Sequence, residues 1–226
     1  MISATAGALS FATIASIFTF VIATVVFIIT IKVCFNFPRI VSSKLYAAFI
    51  GPLYVSSWVF YPVENKDLTA FSSMCSAGLV ASLLGIGFLV RGSIETGLFL
   101  FGAAHIILAL LFWQQPCAAL ASIFLSTGDA FAALAGAHVR ALPRVALPWN
   151  SDKTIAGVVG FVFSSLLVWA AVVRIYWWRG LWIGNSAGEE LVQMFPSFFV
   201  TLLAALIESL PGQGRWDNLT VCLTPI

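Results

Sequence analysis

Unbroken apolar windows, each closed off by charge or proline, recur near residues 8–31, 45–63, 68–90, 96–113, 117–139, 155–178 and 190–210. Each approaches the roughly 20 apolar residues that an α-helix needs to cross the hydrocarbon core of a bilayer. Together they fill most of a 226-residue chain that is 61% hydrophobic and 9% charged, whereas soluble domains run at about 45–50% and about 25%. A soluble globular domain is therefore excluded, and little chain is left for an extramembrane one. The runs also lack the strict alternation of a lipid-facing β-barrel strand. The expected architecture is an all-α, polytopic transmembrane bundle of about seven spans, with residues 1–226 as a single integral membrane domain. Gln114, Gln115 and Pro116 part the fourth and fifth windows, because two amides and a lost backbone donor mark a turn. The N-terminal stretch lacks the basic region of a signal peptide and is not Arg- and Ser-rich like a transit peptide, so the first window is expected to be a retained span.

Orientation follows from where the few charges sit. With the N-terminus outside, the inner segments carry Lys32, Arg39, Lys44, Arg91, Arg140, Arg144, Lys153 and Arg215, and the outer ones carry Lys66, Arg174 and Arg179. That excess on one side favours the N-terminus outside. Tyr176, Trp177, Trp178 and Trp182 then belong to the outer interface, where amphipathic rings collect. The net charge of +2, from 11 basic and 9 acidic residues, excludes a polybasic nucleic-acid surface. Cys34, Cys75, Cys117 and Cys222 show no metal-ligand spacing and are expected to be free thiols packed as small hydrophobes.

An ionised side chain within a span costs at least about 2.5–3.5 kcal/mol on insertion scales, which makes it a functional candidate by default. Asp129 and Glu208 are the acids set in apolar context. Asp129, Ala132, Gly136 and Arg140 follow spacings of 3, 4 and 4, which places them along one helix face as a small-residue groove with an acid at one end and a base at the other. Tight helix packing through small residues accounts for Ala132 and Gly136 but not for Asp129.

After this groove comes Leu147-Pro148-Trp149-Asn150-Ser151-Asp152-Lys153-Thr154-Ile155-Ala156-Gly157. Asn150, Ser151, Asp152 or Thr154 is suited to cap the helix that begins there. Free amides at a helix start, with Lys153 beside them and Gly157 for close approach, suit phosphate. A topology-setting lysine beside an ordinary cap is the competing account. Glu95, Lys44, Lys153 and Asp217 emerge on the inner face, with Asp129 and Glu208 in the helices leading to it. Acids beside bases suit a divalent cation and a polyphosphate. Asn218 begins a glycosylation acceptor pattern, but on the inner side. His105 is expected to bridge helices rather than ligate, and His138 is a candidate addition to the anion site.

The same stretches resemble the phytol kinase and farnesol kinase branch of the CTP-dependent polyprenol kinases, more distantly the dolichol kinases. Members carry patterns like GDGxADIVGRRFG, PxNxxKSxAGS and VESLPxxxxDNLTVPL. The matching text here is GDAFAALAGAHVR at 128–140, PWNSDKTIAG at 148–157 and IESLPGQGRWDNLTVCL at 207–223. Upstream, Lys44-Leu45, Gly51-Pro52-Leu53 and Trp58 are similar to the family's RKxxHxxxGPxF segment, and Glu95 with Gly97 to its RELxxGP. The resemblance spans about residues 44–223, beyond which members carry one more apolar span.

That resemblance implies transfer of the CTP γ-phosphate to a prenyl alcohol such as phytol with Mg²⁺, in a chloroplast membrane or, alternatively, the endoplasmic reticulum. It implies catalytic roles for Asp129 and Glu208, and metal ligation by Asp129 and Asp217. Nucleotide contacts would come from Gly136, Arg140, Asn150, Lys153, Thr154, Gly157 and Asn218. This sequence departs from the pattern where the family's second acid is Ala133, its paired arginines are Ala137 and His138, its second GDG glycine is Ala130, and its RKxxH histidine is Ala47. A catalytically weakened homologue that binds prenyl lipid or a protein partner is therefore a competing reading. A small transporter with a carboxylate relay through Asp129 and Glu208 is a third.

Overall fold

The computed structural model describes residues 39–60, 96–138, 145–180, 187–211 and 224–225. The windows expected at 8–31 and 68–90 lie outside these residues. The described residues of each of the other windows are mainly helical. In chain order the elements are α1 (Arg39–Ser57) closing in a 3-10 turn (Trp58–Phe60), α2 (Thr96–Leu111), α3 (Pro116–Ile123), a π-helical turn (Phe124–Gly128) and α4 (Asp129–His138). A hairpin of β1 (Ala146–Leu147) and β2 (Asn150–Thr154) then leads into α5 (Ile155–Trp178), and α6 (Ala187–Glu208) comes last.

The sequence punctuation acts where it was expected to. Gln114 takes a left-handed φ of 55°, and Pro116 sits in the first turn of α3, where its missing N–H is no loss. The Thr154 hydroxyl accepts from the Gly157 N–H at 3.1 Å and caps α5, satisfying one of the donors that every helix start leaves orphaned.

Among the described residues two continuous helical segments, Pro116–Ala137 and Ile155–Trp178, are long and apolar enough to cross a membrane. They differ in burial: 72% of the first segment's apolar window is inside the protein, against 33% for α5. α5 accordingly turns Val159, Phe163 and Leu167 outward, at 58%, 69% and 61% exposure among the described residues. In water each Å² of such a stripe costs about 25 cal/mol. Hydrocarbon removes that cost.

The α3–α4 segment is the centre of the bundle. Along α1, Lys44, Ala48 and Gly51 meet Asp129, Thr127 and Ser126 in reverse order, so the two helices are antiparallel. α5 is antiparallel to α4 by the same criterion, and the two approach closely. A β-carbon on Gly160 would stand 2.8 Å from Ala135 Cβ and 2.9 Å from the Phe131 carbonyl oxygen. Buried Trp58, Phe124, Phe161, Trp169 and Tyr176 fill the core. At one end Tyr176 Oη donates to the Val55 carbonyl at 2.8 Å, and Gln114 Nε2 to that of Trp58 at 3.0 Å. Toward the other end lie Lys44, the hairpin and the end of α6.

Three expectations need correction. α1 begins at Arg39 rather than near residue 45, which puts Lys44 on the helix. The helix expected over 117–139 contains the π turn just before Asp129, where Ser126 Oγ donates back to the Ser122 carbonyl at 2.6 Å and Thr127 Oγ1 reaches across to that of Ala48 at 2.7 Å. The connection after α4 is not all loop. Its hairpin pairs Ala146 with Thr154 and Leu147 with Asn150 and buries Leu147, so the described residues are helical with one small β element.

Candidate functional site

The π turn and the hairpin bring the chemically active side chains together. One extra residue in a helical turn widens it and re-aims the next side chains along the helix, and such turns are frequent at functional sites. Here the next residue is Asp129. Its Oδ2 lies 2.6 Å from Nζ of Lys44, which reaches it from α1 across 85 residues of sequence.

The hairpin positions the second pair. Its turn is latched to the end of α6: Trp149 Nε1 donates to Ser209 Oγ at 3.1 Å, and Asn150 Nδ2 donates to the carbonyls of Ser209 at 3.1 Å and Leu210 at 3.3 Å. These carbonyls belong to the turn that follows the last residue of α6. Asn150 Oδ1 also accepts from the Asp152 N–H at 3.1 Å, fixing the turn. Strand β2 then delivers Lys153 Nζ to 2.8 Å from Glu208 Oε1. The Glu208 side chain is only 8% exposed and that of Lys153 32%, so a buried carboxylate is tied to a lysine that still reaches the surface.

Both acids open onto one cavity of about 600 Å³. Ala132, Ala133, Gly136 and Ala137 of α4 form one wall, and Gly157 and Val158 of α5 another. Ser151, Asp152, Lys153 and Thr154 of the hairpin close a third side, with Glu208 and Ser209 at the end of α6. Small residues on α4 leave the space, and acids, a lysine and hydroxyls rim it.

Of the residues singled out from sequence, Asp129, Gly136, Lys153, Thr154, Gly157 and Glu208 share this cavity. Asn150 serves the scaffold instead, since its side chain is spent on latching the hairpin. Arg140, Asp217 and Asn218 lie outside the described residues, as do Glu95 and the side chain of His138. Asp129 pairs with Lys44 of a neighbouring helix. In the sequence Lys44 stands out as an inner-face charge and within the kinase-like segment but not as the partner of Asp129, although an acid set in a span calls for a cation on a neighbouring helix. His105 bridges helices as expected: Nδ1 donates to the Phe101 carbonyl at 2.9 Å, which leaves Nε2 to accept from Ser122 Oγ at 2.8 Å.

Of the two expected Mg²⁺ ligands, Asp129 faces Lys44 and Asp217 lies outside the described residues. Asp129 and Glu208 each already face a lysine, and among the described residues no group of three or more His, Cys, Asp or Glu side chains is placed to hold a metal. Among the described residues Lys153 lines the cavity, while Lys44 contacts its rim through Asp129. No family model matches this chain, and neither a curated protein nor a solved structure does so.

Proposed function

We propose that this chain is a membrane-embedded kinase that transfers the γ-phosphate of CTP to a prenyl alcohol such as phytol, giving the prenyl monophosphate and CDP. The observation that carries the reading is the single cavity, which gathers Asp129, Lys153, Thr154, Gly157 and Glu208 from the three sequence stretches that resemble prenyl-alcohol kinases. Phosphoryl transfer is mostly positioning plus charge neutralisation, so a site of few groups suffices. In the proposed reaction the alcohol oxygen bonds to the γ-phosphorus, the bond from that phosphorus to the bridging oxygen breaks, and CDP leaves. Asp129 takes the alcohol proton. Lys153 and the start of α5 hold the phosphates, and Glu208 orients Lys153.

The proposed setting is a bundle of about seven spans with the N-terminus outside, in a chloroplast membrane or the endoplasmic reticulum. The prenyl chain enters from the lipid and the nucleotide from the inner face. Purified protein in lipid nanodiscs, given γ-labelled CTP and phytol, geranylgeraniol or farnesol, tests the reading through the appearance of labelled prenyl phosphate.

One observation favours a second reading. Ala133 and Ala137, where the kinases it resembles carry an acid and an arginine, both line the cavity. A site stripped of those charges suits a weakened homologue that binds a prenyl lipid without turnover, and the same assay separates the two.

A further inference from the structure

We propose that Lys44 is the positioning residue of Asp129: from α1 it holds one carboxylate oxygen, Oδ2, and leaves Oδ1 to the cavity, where it accepts the hydroxyl of an alcohol ligand. The proposal rests on the kinase reading for the class of ligand, a prenyl alcohol, and adds the residue that aims its acceptor.

Lys44 and Asp129 are bound only to each other. Lys44 Nζ lies 2.6 Å from Asp129 Oδ2, and among the described residues neither side chain has a second hydrogen bond or ion pair. Asp129 lines the cavity and Lys44 does not. The ammonium therefore meets the carboxylate from the α1 side, and a single contact at one oxygen leaves the acceptor sites of the other for a ligand. A hydroxyl donates one hydrogen bond, which matches one open carboxylate oxygen.

α1 is itself fixed beside this pair. One turn after Lys44, the Ala48 carbonyl accepts from Thr127 Oγ1 at 2.7 Å. Further along the same face, Gly51 packs on Ser126 so closely that a β-carbon would collide with the Ser126 hydroxyl. Ser126 and Thr127 belong to the π turn, and Asp129 begins the helix that follows it. The register of α1 on that turn sets where the ammonium stands, and the ammonium sets where the carboxylate points. Without Lys44 the carboxylate is free to rotate, and a misplacement of about 1 Å can cost about 100-fold in rate.

Binding of tritiated phytol to the full chain in nanodiscs, displaced by unlabelled phytol or by phytene, the same hydrocarbon without its hydroxyl, reads the contact without nucleotide. The unaltered chain should prefer phytol about tenfold, the scale of one hydrogen bond to a charged group. Asp129→Ala and Lys44→Met should each lose that preference, and Lys44→Arg, which returns a cation to α1, should recover most of it. Adding Lys44→Met to Asp129→Ala should weaken phytol no further, because a residue that acts through Asp129 has nothing left to position. No preference in the unaltered chain, a preference kept by folded Lys44→Met, or a further loss in the double variant overturns the proposal. Should Lys44→Met not fold, Lys44→Gln gives the same reading. With CTP present, Lys44→Met should lower kcat about tenfold or more and leave the KM for CTP unchanged. Transfer that Lys44→Met does not slow would keep the kinase and overturn the positioning; the binding pattern without transfer would do the reverse.

Discussion

Lys153 Nζ lies 2.8 Å from Glu208 Oε1 across 55 residues of sequence, so the hairpin before α5 and the end of α6 meet through opposite charges. Lys153→Ala should therefore act twice. It should raise the KM for CTP more than it alters prenol use, because loss of uniform binding appears in KM. If the lysine also neutralises charge on the transferring group, kcat falls too. It should also destabilise the fold by about 1–3 kcal/mol, since Glu208 loses a charged partner while buried. Separate CTP and phytol titrations, with thermal unfolding alongside, check both effects. Unchanged kinetics for both substrates would leave Lys153 as a charge that only sets topology.

Asp129→Asn keeps side-chain volume and removes the charge that faces Lys44. Phosphorylation of the alcohol should drop by about 100-fold or more, the usual scale for losing a catalytic electrostatic group. The unfolding transition should remain cooperative. Wild-type turnover in the variant would remove Asp129 from the site.

Helix identities and turns were legible because their signals are local. Gln114, Gln115 and Pro116 announced a break, and the 155–178 window became α5 with Thr154 as its cap. The site was legible in part: Asp129, Lys153 and Glu208 stood out because charge in apolar context is costly. Their pairing was not, since which lysine meets which acid depends on packing between helices far apart in sequence. The π turn was hidden because it differs from α-helix by one hydrogen-bond offset and leaves no periodic trace over Phe124–Gly128. The hairpin was missed because Asn150–Thr154 is short and polar, and its strand form rests on the Trp149 and Asn150 contacts with Ser209 and Leu210.

Gly160→Val tests the close approach of α4 and α5. Its β-carbon would sit 2.8 Å from Ala135 Cβ, and because Phe131 O belongs to backbone, the helices must part. A loss of about 1–3 kcal/mol is expected, as for other overpacked interiors. Thermal unfolding in detergent measures it, and an unchanged transition would contradict the packing described.

Asn150→Ala removes the two donations to the end of α6, at about 1 kcal/mol each. The hairpin should loosen, and proteolysis near Ser151 should quicken. Because the latch ties the hairpin to Ser209 and Leu210, Ser151→Cys and Gly214→Cys should be labelled from the same side of the membrane by an impermeant thiol reagent. Labelling from opposite sides would break the shared site.

The most direct measurement is transfer itself: purified chain in nanodiscs, γ-labelled CTP, and phytol as acceptor, with Asp129→Asn run in parallel. Labelled phytyl phosphate is expected from the unaltered chain and almost none from the variant. Saturable phytol binding with no labelled product from either protein would contradict the kinase and leave a lipid-binding homologue in its place.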